Sequence, residues 1–160
     1  MIDVFKSVHD KNRNSKLLLV GTGNGQSNIR EKVDNLGLSD SVIFLGNRGD
    51  VNRILQAMDV FLFPSLYEGL GIAALEAQAS GLPCIISDGV PSECKVTDLA
   101  ESLDLNLPID KWANAVLEKQ SAIRKNTYQE IKNAGYDIEQ NAKQLENFYI
   151  KKYENLGERN

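Results

Sequence analysis

The sequence predicts a doubly wound parallel α/β fold, and three observations carry that prediction. Short apolar runs of strand type alternate with segments of helical spacing. The beat is about twenty residues, the length of one strand-helix step rather than of a solenoid repeat. Glycine-rich turns follow the apolar runs, at 21–25 and 69–71, where a strand hands over to a helix.

Taken in order, residues 1–9 read as a helix and 16–20 as the first strand. Residues 28–36 form a helix with Ile29, Val33 and Leu36 on one face, and 42–45 are the next strand. Asp50 is a good N-cap for a helix that turns Val51, Ile54, Leu55 and Met58 inward. Two further steps follow: strand 60–63 with helix 72–79, then strand 84–87. Beyond Asp88 the pattern loosens around Pro91, and 99–105 reads either as a short strand or as a helical turn. Pro108 and Asp110 open a helix that runs to about residue 123, with Trp112, Val116 and Lys119 along one side. A further helix covers 127–134, ahead of Gly135. The last run carries Ile138, Ala142, Leu145 and Tyr149 at helical spacing, a stripe that needs a surface to pack on.

Composition fits one domain over 1–160, with the strand-rich core in 1–90 and the remaining elements in 91–160. The chain has 160 residues, 42% apolar and 25% charged, which is ordinary globular usage with enough length to bury a core. A net charge of -4 argues against nucleic acid as a partner, because a phosphate backbone selects basic surfaces. No apolar run approaches the roughly 18 residues of a membrane span, and the start has no signal-type apolar segment. A cytoplasmic location is expected, peripheral to the inner face of the membrane in a longer protein. Cys84 lies in an apolar strand and reads as a buried thiol, whereas Cys94 could be exposed; neither has metal-ligand spacing.

The chemistry concentrates in residues 65–83. Gly69 and Gly71 permit a tight turn, and helix formers follow directly from Ile72 to Ala79. The first amides of such a helix lack internal acceptors, and with the helix dipole they suit a phosphate or diphosphate. Glu68 precedes the helix and Glu76 sits in its second turn. Like charge keeps both from a phosphate, so their natural partners are sugar hydroxyls, which donate charge-assisted hydrogen bonds to carboxylates.

Glu68-Gly69-Leu70-Gly71 through Glu76, followed by Ala79-Ser80-Gly81-Leu82-Pro83, resembles the Glu-x7-Glu signature of the family 4 retaining glycosyltransferases, whose architecture is the two-domain GT-B fold. The likeness extends over about the first ninety residues, including Leu17 to Gly23, Val42 to Arg48 and Ala57 to Ser65. The short segment from Cys84 to Glu93 looks most like exopolysaccharide-type members. The resemblance implies a Rossmann-like, carboxy-terminal donor-binding domain of a hexosyltransferase acting in polysaccharide biosynthesis. It implies that Glu76 binds the nucleotide ribose and that Glu68, the catalytic candidate, contacts the donor sugar. The amides of Leu70, Gly71, Ile72 and Ala73 would cradle the diphosphate, with Gly69 in the same donor-binding turn. Gly46, Asn47 and Arg48 would flank the base, and Gly21 and Gly23 would line the adjoining strand end. In such sites the protein orients the donor and stabilises an oxocarbenium-like state and a departing diphosphate. No metal and no cofactor are expected, only a UDP-sugar or GDP-sugar substrate.

The chain departs from that family pattern at its start. Members carry an arginine and a lysine after the first strand of this domain, and residues 1–9 already read as the helix beyond that point. The expectation is a donor-binding part without its first strand, inactive alone, with a glycan or lipid-linked acceptor held by an amino-terminal domain. In the strand order 3-2-1-4-5-6 the first strand is central. Strand 16–20 then pairs directly with strand 60–63, or another chain supplies the edge, giving a homodimer through the incomplete sheet, or the fold is marginal.

Other groups keep plainer readings. Gly21-Thr22-Gly23-Asn24-Gly25 is not a G-x-G-x-x-G fingerprint, so nicotinamide binding is disfavoured. Arg48 reads equally as a nucleotide contact or a solvated loop residue, and Asp88 and Glu93 as site-facing or loop-capping. His9, on a surface helix, is expected to be uninvolved. Two other function classes stay open: a sugar-nucleotide epimerase, and a non-catalytic nucleotide-sugar-binding subunit.

Overall fold

The computed structural model describes residues 1–157 and shows an α/β molecule whose strand pairs all run parallel. The order is α1 (Ile2–Lys11), β1 (Leu17–Val20), α2 (Gln26–Asn35), β2 (Val42–Gly46), α3 (Val51–Gln56), β3 (Phe61–Phe63), α4 (Ile72–Ala79) and β4 (Cys84–Ser87). A short 3₁₀ turn (Ser92–Cys94) leads to β5 (Ala100–Leu103), α5 (Ile109–Lys119), α6 (Tyr128–Asn133) and α7 (Ile138–Gly157). The ambiguous segment 99–105 is therefore a strand. It is held there by parallel pairing of Ala100 to Leu103 with Cys84 to Ser87, a tertiary contact that local sequence does not encode.

The strands fall into two sheets, β1-β2 and β3-β4-β5. Among the described residues β1 and β3 do not pair, so the direct pairing that the sequence left open is not the one adopted. Helices lie on both faces. Cys84 and Ile86 of β4 pack with Leu55, Ala74, Leu75 and Ala77 from α3 and α4, while Ile85 points the other way into a cluster with Val4 and Trp112. This alternation along β4 is why Cys84-Ile85-Ile86 is apolar without interruption: a parallel strand covered on both faces has no solvent side.

Helix α1 spans the two sheets. Ile2 and Phe5 pack with Val33, Leu38 and Val42 over β1-β2, and Val4 packs with Ile85 and Trp112 over the other sheet. Polar ties fasten α1 to α5: Ser7 Oγ donates to Asp110 at 2.7 Å, and Lys11 Nζ reaches Asn114 at 2.9 Å.

Four local expectations are corrected by packing. His9 is buried, with its ring 5.7 Å from that of Phe5 and Nδ1 3.3 Å from Ser15 Oγ. Cys94 is buried, beneath the turn that precedes α4. Asp50 caps α3 without a side-chain hydrogen bond, because its carboxylate is held by Arg48. Helix α5 ends at Lys119 rather than near residue 123, because the following segment leaves the helical path to bring Arg124 onto the ends of α3 and α4. Arg124 donates to the carbonyls of Ser80 (2.9 Å), Leu55 (2.8 Å) and Met58.

Candidate functional site

The candidate site lies where β3 hands over to α4. Gly71 caps α4 in a left-handed conformation, φ +83°, and its carbonyl takes the first helical bonds from Ala74 (2.9 Å) and Leu75 (3.3 Å). No side chain caps this end. The amides of Ile72 and Ala73, in the first turn, are orphan donors of the kind every helix start leaves, and both residues are exposed. The turn is fixed from below. A Cβ on Gly71 would stand 3.0 Å from Val90 Cγ1 and 3.3 Å from Cys94 Sγ, and that thiol donates to the Gly71 carbonyl at 3.4 Å. Glycine is demanded here twice, by backbone sign and by space.

Glu68 is half-buried in the loop ahead of that turn, and Ser65 Oγ donates to its Oε1 at 2.7 Å. Ser87 Oγ at the end of β4 in turn donates to the Ser65 carbonyl. Gly89 presses on the same loop: a Cβ there would lie 2.4 Å from the Leu66 carbonyl oxygen. The carboxylate is thus positioned by three successive layers. Burial, and then the charge of Glu68, push the Cys94 thiol above its ordinary pKa, leaving it a neutral packing group.

Glu76 is exposed on α4 and lines a cavity of about 450 Å³ with Ala73, Phe63 and Val20. This places it beside the carboxyl ends of β1 and β3, where open parallel sheets bind ligands. Gly21 and Gly46 adjoin the same strand ends. Gly21 N–H donates to the Gly46 carbonyl at 2.8 Å, both have positive φ, and Thr22 Oγ1 lies 3.3 Å from Asn47 Oδ1. Gly23 and Asn47 are exposed at this rim, and Gly69 and Leu70 lie in the turn before Gly71. Arg48 is engaged by Asp50 through Nε and Nη2, both at 2.8 Å. Asp88 accepts from the Leu105 amide at 3.1 Å, a loop-holding role. Among the described residues no three His, Cys, Asp or Glu side chains are grouped to hold a metal.

Sequence reasoning missed the residues that hold the site from behind. Gln78 is fully buried. Its Nε2 donates to the carbonyls of Ala74 (3.0 Å) and Cys94 (2.8 Å), and its Oε1 accepts from the amides of Val96 and Thr97 and from Thr97 Oγ1. It ties α4 to the segment carrying Cys94. A glutamine within Ala-Gln-Ala-Ser was the available signal, since a polar residue amid small ones on a buried helix needs partners.

The arrangement offers free amides at a helix start, a fixed carboxylate on one side, a second carboxylate on the cavity wall, and a rim of glycine turns. The chain carrying it resembles known proteins. The sequence model of the glycosyl transferases group 1 family matches residues 1–147. The chain is 37% identical over 152 residues to the candidate glycosyltransferase EpsF of Bacillus subtilis (strain 168), covering 89% of this chain and 39% of that protein. It is 32% identical over 143 residues to the UDP-Gal:alpha-D-GlcNAc-diphosphoundecaprenol alpha-1,3-galactosyltransferase of Escherichia coli, covering 85% and 37% respectively. The chain therefore spans less than two fifths of the length of these curated relatives. Among solved structures, sucrose-phosphate synthase from Thermosynechococcus elongatus superposes with a TM-score of 0.77 at 23% identity, over 95% of this chain and 42% of that one. HepE of Anabaena, crystallised with UDP, gives 0.69 at 18% identity over 92% and 45%. These structural likenesses establish the fold, that of GT-B glycosyltransferases. With a match across nearly its whole length, this chain belongs to the group 1 glycosyl transferases.

Proposed function

We propose that this chain is the donor-binding domain of a retaining, Glu-x7-Glu type glycosyltransferase that transfers a hexose from a nucleotide-diphosphate sugar to a glycan or lipid-linked acceptor. One observation carries the reading: the uncapped start of α4 and Glu76 stand together at the carboxyl ends of β1 and β3. Glu76 accepts hydrogen bonds from the ribose hydroxyls. The amides of Leu70 to Ala73 meet the diphosphate. Glu68, fixed by Ser65, faces the donor sugar, and the turns at Gly21, Gly23 and Gly46 to Arg48 flank the nucleoside. Transfer proceeds by orienting the donor and stabilising a sugar cation and the leaving diphosphate, with that diphosphate helping to deprotonate the acceptor.

Support comes from relatives. The Escherichia coli enzyme named above is a galactosyltransferase by name and takes UDP-Gal, and the pneumococcal O-GlcNAc transferase GtfA was crystallised with UDP and GlcNAc. The rest of the assignment follows the same reading: exopolysaccharide-type chemistry at a cytoplasmic site peripheral to the membrane, with the acceptor read by a further domain and no turnover by this chain alone. Among the described residues no helix is long and apolar enough to cross a membrane.

Calorimetric titration with UDP, GDP and their hexose conjugates tests the site. The expected result is binding in the micromolar to low-millimolar range that Glu76→Ala weakens by about 1.5–3 kcal/mol, the worth of a charge-assisted hydrogen-bond pair. Equal binding by both proteins would remove Glu76 from the donor site. Hydrolysis of the donor without acceptor would favour an epimerase-type enzyme instead, and binding without turnover in a full-length protein would favour a sensor subunit.

A further inference from the structure

Asn24-Gly25 is the only place in the chain where glycine follows asparagine. It lies in the loop between β1 and α2, on the rim formed with Gly21, Gly23 and Asn47. Val20, which lines the cavity together with Glu76, is four residues before Asn24. Every residue from Gly21 to Gly25 is exposed. The loop is held at its ends: Gly21 N–H donates to the Gly46 carbonyl at 2.8 Å, and the Ile29 amide of α2 donates to the Gly25 carbonyl at 3.1 Å. Between these anchors the turn is closed by a bond from the Gln26 amide to the Gly23 carbonyl at 3.1 Å.

That turn leaves an asparagine side chain open to attack by its own backbone. Among the described residues the Gly25 amide donates to no backbone acceptor, and a Cβ on Gly25 would meet nothing within 4 Å. The nitrogen is therefore free and uncrowded. Gly25 sits at φ -87° and ψ 3°, and glycine leaves such a conformation for most of backbone space at little cost. Opening the turn far enough for this nitrogen to reach Asn24 Cγ breaks one solvent-exposed hydrogen bond, whose net worth is small. Asp88-Gly89 is the contrast, the one place where glycine follows aspartate and the same ring could close. There the Asp88 amide donates to the Leu103 carbonyl at 2.9 Å and its Oδ1 accepts from the Leu105 amide at 3.1 Å. Gly89 is pressed against the Leu66 carbonyl. The fold immobilises that pair and leaves Asn24-Gly25 free.

We propose that Asn24 is a self-modification site, converting to aspartyl and isoaspartyl forms in the folded protein and so adding a negative charge to the rim of the candidate site. The Gly25 nitrogen attacks Asn24 Cγ and forms the new N–C bond of a five-membered succinimide. The Cγ–Nδ2 bond breaks, and the side-chain nitrogen leaves as ammonia with the proton that the Gly25 nitrogen gives up. Water then adds to one of the two ring carbonyls. Opening at Cγ restores the ordinary backbone and leaves a side-chain carboxylate. Opening at the other carbonyl routes the backbone through Cγ and leaves the carboxylate on the α-carbon. Folding does not oppose the change: the first turn of α2 holds no acidic residue and no side chain caps it, so a carboxylate just ahead of Gly25 suits the helix dipole. The consequence for binding rests on the donor-site reading, in which a charge on this rim repels a diphosphate held at the start of α4.

The test incubates the intact chain in mildly alkaline buffer, native and in urea, and maps its peptides for the amide-to-acid mass gain and for methylation by an isoaspartyl methyltransferase. The expected result is conversion of Asn24 in the native protein about tenfold or more faster than of any other asparagine. Gly25→Ala, which tolerates φ -87° without strain, should slow it about tenfold or more, because a Cβ narrows the backbone and crowds the attacking nitrogen. Conversion of Asn24 in urea but not in the native protein overturns the proposal, as does equally fast conversion in Gly25→Ala. The converted protein, separated by anion exchange, and the Asn24→Asp variant are then titrated with UDP. Each should bind about two- to fivefold more weakly than the unconverted chain, as one charge within about a Debye length of a diphosphate requires. Equal affinity overturns the effect on the site. Absence of UDP binding in all three counts against the donor-site reading alone, since the peptide map decides the modification.

Discussion

Gly71 concentrates the demands of the site in one residue. Its backbone is left-handed, and any side chain there would meet Val90 and Cys94. Gly71→Ala should lower unfolding free energy by about 1–3 kcal/mol, from the left-handed penalty together with the crowding, as read from urea titration. A change under half of the lower figure would show that the turn relaxes freely. Cys84 offers a pH-dependent check of the core. Burial, and secondarily its neighbour Cys94, raise its thiol from the ordinary 9.0 to about 12. The folded state then keeps a proton that the unfolded chain releases. The contribution to stability is whole below about pH 9 and is lost as pH climbs from 9 toward 12. Urea midpoints measured from pH 8 to 10.5 should fall more steeply for the native sequence than for Cys84→Ala; parallel slopes would mean that Cys84 titrates normally.

Among the elements, α4 and α7 are opposites. Ala74, Leu75, Ala77 and Gln78 of α4 are buried, and small residues let this helix lie close on β4 while its amino end remains open at the site. The apolar stripe foreseen along α7 is present but unpacked: Ile138 is 80% exposed and Tyr149 63%. A helix with so little buried surface is held by local hydrogen bonds, its own and those of its first turn to Asp137 and Gly135. Its amides should therefore exchange with solvent at least a hundredfold faster than those of β4, because opening α7 costs far less than unfolding the core. Comparable protection factors in the two elements would show that α7 is docked. Arg124 and Thr127, whose hydroxyl donates to the Gln78 carbonyl at 2.7 Å, mark where the chain stops contributing to the core.

At the scale of the molecule, the two sheets, unpaired with each other among the described residues, act as one unit through the helix layers. Helix α1 supplies most of that connection, with Phe5 over one sheet and Val4 over the other, and its polar ties to α5 add to it. The prediction is a single unfolding transition. The sole tryptophan, Trp112, lies in the cluster over β3-β4-β5 and reports that half by fluorescence, while far-ultraviolet circular dichroism reports both. The two curves should coincide in urea. A fluorescence transition displaced from the dichroism curve would mean that the sheets unfold separately and that α1 couples them weakly.

The fold class, the positions of α4 and β4, and the pairing of Glu68 with Glu76 around a glycine turn were determined by sequence alone. Each depends on local signals: period, glycine sign and helix-forming residues within a few positions of one another. Tertiary structure decided what depends on distant neighbours. Segment 99–105 became a strand because β4 offered an edge. His9 and Cys94 became core residues because a helix and a loop closed over them. Arg48 went to Asp50, and Gln78 became the tie behind the site, through partners that no local pattern names. The unpaired edges of β1 and β3 belong with these. An unpaired edge is a property of what lies beside a strand, and apolar residues look the same in a strand whether or not their neighbour is present.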